Sequence, residues 1–287
     1  MTPKSLRMAE GFCAAAGGCN VLMLTVGIIA PMPRFAANLN WLFTERAFLE
    51  RFAAARAAGF DAVEFPSPYG HTPEAVAQAL RDAGLRCILF NLPSGDQSKG
   101  DFGIACRPGR EAEFREGVHR AIEYAHALGC GRVNVVTGRK LEGEDPAKLR
   151  EVLLANVEYA AAALQKAGVD FVIEPINDID IPGFFLTRQD EGAAIVEAIG
   201  VHRMGLQCDL YHTVMKGDDP AAILKRLQPV IRHVQFADAP GRGEPGSGTV
   251  DLPALFKLVD SLPYEGWVSA EYKPTRRTEE TLAWLHA

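Results

Sequence analysis

Paired cysteines, excess positive charge and long apolar runs are all missing from this sequence, and each absence removes a class of function. Six cysteines (Cys13, Cys19, Cys87, Cys106, Cys130 and Cys208) are scattered over 287 residues with no C-x2-C pair and no finger-like spacing. That argues against a structural zinc module and favours free thiols in a reducing cytosol over a disulfide framework. The formal net charge of −6 argues against a surface built for nucleic acid phosphates. No G-x-G-x-x-G follows the first strand pattern, so an open dinucleotide-binding sheet lacks its main signature. The apolar run "VLMLTVGIIA" (21–30) is too short to cross a bilayer as a helix. Lys4 and Arg7 precede it, as in a secretory leader, but no small-x-small cleavage site follows. Residues 1–31 are therefore read as an N-terminal extension outside the fold, and 33–287 as a single catalytic domain.

From residue 33 onward, short apolar runs alternate with longer amphipathic stretches. The strand patterns are "RFAANL" (34–39), "AVEF" (62–65), "RCILFNL" (86–92), "RVNVVTG" (132–138), "DFVIEPI" (170–176), "MGLQCDLYH" (204–212), "IRHVQFAD" (231–238) and "GWVSAEY" (266–272). Helical spacing covers 45–59, 111–129 and 149–168, among others. In the second of these, Phe114, Val118, Ile122, Ala125 and Leu128 form one stripe, with Gly129 as a C-cap. About 32 residues per repeat is the size of one β–α unit, so the spacing predicts an α/β fold, a (β/α)8 TIM barrel.

In that fold the active site forms at the C-terminal ends of the strands. Glu174, Asp209, Gln235 and Glu271 fall there on the fifth to eighth strands in succession. A lone carboxylate at the end of a buried strand is costly unless paired or bound to a cation. One such residue is ordinarily a solvated or helix-capping group; four at consecutive strand ends predict a shared site. Three carboxylates without a cation would be forced to protonate. An all-oxygen set suits a hard divalent ion, magnesium or manganese ahead of zinc, because no histidine or cysteine clearly belongs to it. Cys208, beside Asp209, reads as a packed thiol facing the helices. Glu64 and Asn91 also end strands and could equally shape the pocket or bond to loops.

The segments "RFAANLNWLF", "GFDAVEFPSPY", "FNLPSGD", "GIACRPGREAEFREGV", "IEPINDIDIPGFFLT", "QCDLYH", "HVQFADAPGRGEPGSG" and "GWVSAEYKP" together resemble the hydroxypyruvate isomerase family of xylose-isomerase-like TIM barrels. The resemblance runs from about residue 33 to near the C-terminus. It implies the aldose–ketose type isomerisation of hydroxypyruvate to tartronate semialdehyde. It also implies Glu174 and Glu271 as the acid/base pair, and Glu174, Asp209, Gln235 and Glu271 as the metal ligands. Many sugar epimerases of the wider superfamily carry histidine where this chain has Gln235.

Such a reaction moves a proton between adjacent carbons through an enediolate, which a cation stabilises and a carboxylate pair can drive. A hydride shift is the alternative route. The substrate, a small hydroxy-oxo acid, carries a carboxylate of its own. Arg242, in the glycine-rich loop after the seventh strand, and Lys273, just beyond Glu271, are the candidate cations for it. His212 is a candidate substrate contact or proton relay, provided the sixth strand has ended before it. A longer acid sugar such as 2-oxo-tetronate would suit the same residues. A sugar epimerase, a DNA-repair endonuclease and a barrel without catalysis are more distant readings. Neither nucleic acid nor membrane is an expected partner, and a homo-oligomer is compatible with the composition.

Overall fold

Eight strands hydrogen-bond in chain order and close on themselves, β8 pairing with β1, with every pair parallel. This architecture comes from a computed structural model that describes residues 32–286; the expected extension at 1–31, with Cys13 and Cys19, lies outside the described residues. The strands are β1 Arg34–Asn38, β2 Ala62–Phe65, β3 Arg86–Asn91, β4 Arg132–Val135, β5 Asp170–Ile173, β6 Gly205–Asp209, β7 Ile231–Phe236 and β8 Trp267–Ala270. Each starts within a residue of its expected position, and several stop sooner. β5 ends at Ile173 because Pro175 has no N–H to give to the ladder. β6 ends at Asp209 because that side chain caps the next helix, its Oδ1 accepting from the Tyr211 N–H at 2.8 Å.

The helices are α1 Arg51–Ala57, α2 Pro73–Ala83, α3 Glu111–Leu128, α4 Pro146–Lys166, α5 Gln189–Ile199, α6 Leu210–Met215, α7 Pro220–Leu227 and α8 Leu252–Ser261. Three of their starts follow one rule: Thr72–Pro73, Asp145–Pro146 and Asp219–Pro220 each put an oxygen cap before a proline whose missing N–H costs nothing there. This is why α4 begins at Pro146, three residues ahead of the expected 149. Gly129 ends α3 at φ 62°, as expected for a left-handed C-cap. The helices are not one per strand. The sixth unit carries both α6 and α7, and β8 is followed, among the described residues, only by short 3-10 turns.

Strand alternation sends one set of side chains towards the helices and the other into the barrel. The outward set is apolar: Val63, Phe65, Val133, Val135, Phe171, Ile173, Cys208, Val234 and Phe236 are all buried. Cys87, Cys106, Cys130 and Cys208 are free, buried thiols, and burial lifts the Cys208 thiol to about 12. That is the packed, unreactive thiol the sequence predicts. Above the barrel, the loops after β3 and β4 touch through Gly103 and Gly138. A Cβ on Gly103 would lie 2.5 Å from the Val136 carbonyl, and both residues have positive φ.

Candidate active site

The inward set is polar. Asn38, Glu64, Asn134, Gln207, Asp209, His233, Gln235, Ser269 and Glu271 are buried on consecutive or facing strands. Most are tied into one network. Glu64 Oε1 accepts from Asn38 Nδ2 at 2.9 Å and from Gln235 Nε2 at 2.6 Å, and Oε2 lies 2.6 Å from His233 Nε2. The bonds to β7 cross the barrel interior, since β2 and β7 are not neighbours. Burial disfavours the Glu64 charge, but His233 and the two amides outweigh it and hold the carboxyl below its ordinary range.

Above this layer, two of the four expected strand-end residues, Glu174 and Glu271, meet the three expected substrate contacts. Glu174, Arg242, His212, Glu271 and Lys273 line one cavity of about 720 Å³ at the C-terminal end of the strands. A larger groove, of about 940 Å³ between α1 and the C-terminal turns, holds surface side chains such as Arg46 and Glu279 and no comparable cluster. Glu174 Oε2 accepts from Asn134 Nδ2 at 3.0 Å. Glu271 Oε1 accepts from Asn38 Nδ2 at 3.1 Å and from the Trp41 indole at 3.2 Å. Asp209 lies below the rim, level with Gln235 in the strand register.

The electrostatics follow from that crowding. Burial, then the charges of Glu271 and Asp209, push Glu174 well above the usual carboxylate range. Burial lifts Glu271 to about 8 and Asp209 to about 6, with Arg242 opposing both shifts. The Arg242 guanidinium reaches Glu271 Oε2 at 2.9 Å and Asp209 Oδ2 at 3.4 Å. Its Cζ sits 4.5 Å from the Trp41 ring centre and 5.0 Å from that of Tyr211. Burial works against that charge, but the neighbouring carboxylates raise its pKa overall.

Two of the expected site residues have partners within the protein. Arg242, expected to meet a substrate carboxylate, has two of the protein's own carboxylates as its ion-pair partners. Gln235, expected to be a metal ligand, spends its amide on the network: Nε2 donates to Glu64, and Oε1 accepts from Gln207 Nε2 at 2.6 Å. An amide oxygen has two lone pairs, so one remains. The condition set for His212 is met. The strand ends at Asp209, α6 begins at Leu210, and His212 Nε2 comes within 3.4 Å of Asp209 Oδ2 and 3.9 Å of Glu174 Oε1. Glu174, Asp209 and His212 each offer a ligand atom within 4.8 Å of the others, a cluster close enough to hold a metal ion. Lys273 lines the cavity, and its backbone N–H donates to the Arg242 carbonyl at 2.6 Å.

Sequence reasoning missed Asn38, Trp41, Asn134, Asn177 and Tyr211. Asn134 was within reach: in "RVNVV" it is the polar residue of an otherwise apolar strand, the same signal that drew attention to Glu64 and Glu174. Glu64 belongs to the barrel interior, and Asn91 lines the cavity and accepts from Asn134 Nδ2 at 3.2 Å.

A closed parallel barrel with an acidic cluster at its C-terminal rim defines a TIM-barrel enzyme. Residues 52–287 match the family model described as a xylose isomerase-like TIM barrel. The chain is 45% identical to a 2-oxo-tetronate isomerase of Cupriavidus necator over 88% of its length and 98% of that protein. It is 41% identical to the hydroxypyruvate isomerase of Escherichia coli K12, with the same coverage. A solved structure described as AP endonuclease, family 2, from Brucella melitensis superposes with a TM-score of 0.86 at 39% identity, covering 89% of this chain and 98% of that one. The chain therefore belongs to the xylose isomerase-like TIM barrel family and, within it, groups with isomerases of the aldose–ketose type.

Proposed function

We propose that this enzyme interconverts hydroxypyruvate and 2-hydroxy-3-oxopropanoate (tartronate semialdehyde), with Glu174 and Glu271 moving the protons. The observation that carries the reading is the pair itself: two buried glutamates, both raised in pKa, line one cavity with a guanidinium between their strands. Carboxyls raised above their ordinary range hold a proton more readily, which is the property general acid/base chemistry draws on. One glutamate takes the proton from the carbon beside the carbonyl, and the substrate passes through an enediolate. The other returns a proton to the former carbonyl carbon, and the hydroxyl proton passes between the two oxygens. Arg242, His212 and Lys273 surround the same space and would hold the substrate's carboxylate and oxygens.

A divalent cation fits this donor set. Three buried carboxylates share a single guanidinium, so the site carries more negative than positive charge when they ionise. Glu174, Asp209, Gln235 and Glu271 would hold the ion, magnesium or manganese suiting their oxygen atoms. When bound, it supplies Lewis acidity towards the substrate's oxygens. The residues themselves do the remaining work: they position the substrate, exclude water and transfer protons.

A longer acid sugar such as 2-oxo-tetronate is the second reading, supported by the name of the C. necator relative and by a cavity with room for a fourth carbon. Assaying both acids with magnesium and manganese, in deuterated water, tests the proposal. Turnover of hydroxypyruvate with solvent deuterium in the product is expected. Turnover of 2-oxo-tetronate alone would transfer the assignment to the longer acid, and turnover of neither would overturn it. Cleavage of abasic DNA would instead favour the activity named for the Brucella protein.

A further inference from the structure

We infer that Asn177 fixes the tautomer of His212: by donating to Nδ1 it places the ring hydrogen on Nε2, so His212 enters the site as a hydrogen-bond donor and not as a metal ligand. The orientation of the Asn177 amide is settled by its neighbours. Its Oδ1 accepts from the Ile179 N–H at 3.1 Å and the Asp180 N–H at 2.8 Å, so that end is the oxygen. Its Nδ2 donates to Asp180 Oδ2 at 3.1 Å and lies 2.6 Å from His212 Nδ1. An amide nitrogen has no lone pair to accept with, so Nδ1 must be the acceptor. A neutral imidazole whose Nδ1 accepts carries its hydrogen on Nε2. An imidazolium would set N–H against N–H.

Both side chains are buried, Asn177 fully and His212 at 2% exposure, so water does not readily replace this contact. Nε2 is the ring atom that faces Asp209 Oδ2 at 3.4 Å and Glu174 Oε1 at 3.9 Å. A metal-binding histidine usually donates its other ring N–H to a carboxylate or carbonyl, leaving a lone pair for the ion. Here the arrangement is reversed. Proximity alone groups His212 with Glu174 and Asp209, and the Asn177 contact removes it from the ligand set. What Nε2–H would meet, an oxygen of the substrate, rests on the isomerase reading above; the tautomer does not.

Nitrogen-15 NMR of the full chain labelled in histidine tests this, with the His212 resonances assigned by their loss in His212→Gln. The wild-type ring should be protonated at Nε2 and bare at Nδ1, both without metal and after loading with magnesium or zinc. In Asn177→Asp one carboxylate oxygen still takes the two backbone N–H groups, while the other now requires a donor. The ring hydrogen should move to Nδ1, or the ring become imidazolium, and turnover should fall by roughly 10–100-fold, as is usual for groups that orient a site residue. A wild-type ring protonated at Nδ1, loss of the Nε2 hydrogen on metal loading, or an unchanged tautomer in a folded Asn177→Asp protein would each overturn the inference. The wild-type spectrum decides even if the variant does not fold. Isomerase assays that fail beside an Nε2-protonated ring would refute the function and leave the tautomer standing.

Discussion

The same eight strands build two interiors. Towards the helices they present Val63, Phe65, Val133, Phe171, Cys208, Val234 and Phe236; into the barrel they present Asn38, Glu64, Asn134, Asp209, His233 and Gln235. Both sets are buried, so burial alone does not tell them apart. The apolar layer gains stability from area removed from water and from close packing, without directional demands. The polar layer has to satisfy each group, and it largely does so through Glu64 and its partners. Gln207 Oε1, Asn134 Oδ1 and Ser269 Oγ have no partner among the described residues. Barrel interiors are more often filled by branched apolar side chains. A polar filling stabilises less, but it orients the carboxylates and amides at the rim.

Four measurements would break or sharpen that contrast, the largest effect first. Glu174→Gln should lower turnover roughly 10²–10⁴-fold, the usual contribution of a positioned acid or base, while its melting temperature stays close to wild type. Metal occupancy must be matched between the two proteins before rates are compared. Near-normal turnover would reduce Glu174 to a ligand.

In the other interior, Phe256 packs edge-on against Phe35 and Phe236 at 4.9 and 4.8 Å between ring centres. Phe256→Ala should cost about 3–5 kcal/mol of stability, measured by denaturant unfolding, with turnover per folded molecule unchanged. A large catalytic loss in the folded fraction would show that the two interiors are not independent.

Glu64→Gln lies between these extremes. It removes the charge that three partners share, and should cost about 1.5–3 kcal/mol. Unlike the phenylalanine change it should also weaken metal binding, followed by calorimetry, because the Gln235 amide loses its anchor. Unaltered metal affinity would confine Glu64 to a structural role.

The smallest effect is one of pH. In metal-free protein, Glu271 is held at about 8 and Asp209 at about 6, whereas unfolded carboxyls ionise near about 4. The folded state therefore keeps protons that the unfolded state has lost, and stability declines as pH rises through the folded values. His212, held well below its ordinary value, works in the opposite sense, but only below about pH 6.5. Between about pH 6.5 and 8 the melting temperature should fall, and a divalent cation should restore more of it at pH 8. A flat profile would mean that the interior carboxylates ionise freely.

Periodicity and order along the chain were enough for the barrel, the strand positions and the placing of Glu174, Asp209, Gln235 and Glu271 at or near the ends of consecutive strands. The reason is that period-2 and period-3.6 patterns, caps such as Asp145–Pro146 and the spacing of β–α units are local properties. A rim carboxylate also stands out against the apolar strand that carries it. The partners of those residues were not legible, because they are set by closure of the barrel. Glu64 meets His233 across 169 residues of chain, and Arg242 turns towards Glu271 and Asp209 instead of outwards. Nothing in "IEPIN" or "DLYH" says that Asn177 and His212 touch, or which ring nitrogen bears the hydrogen. That follows only once β5 and β6 lie side by side and the loop after β5 folds over the start of α6, since hydrogen bonds depend on distance and direction in space.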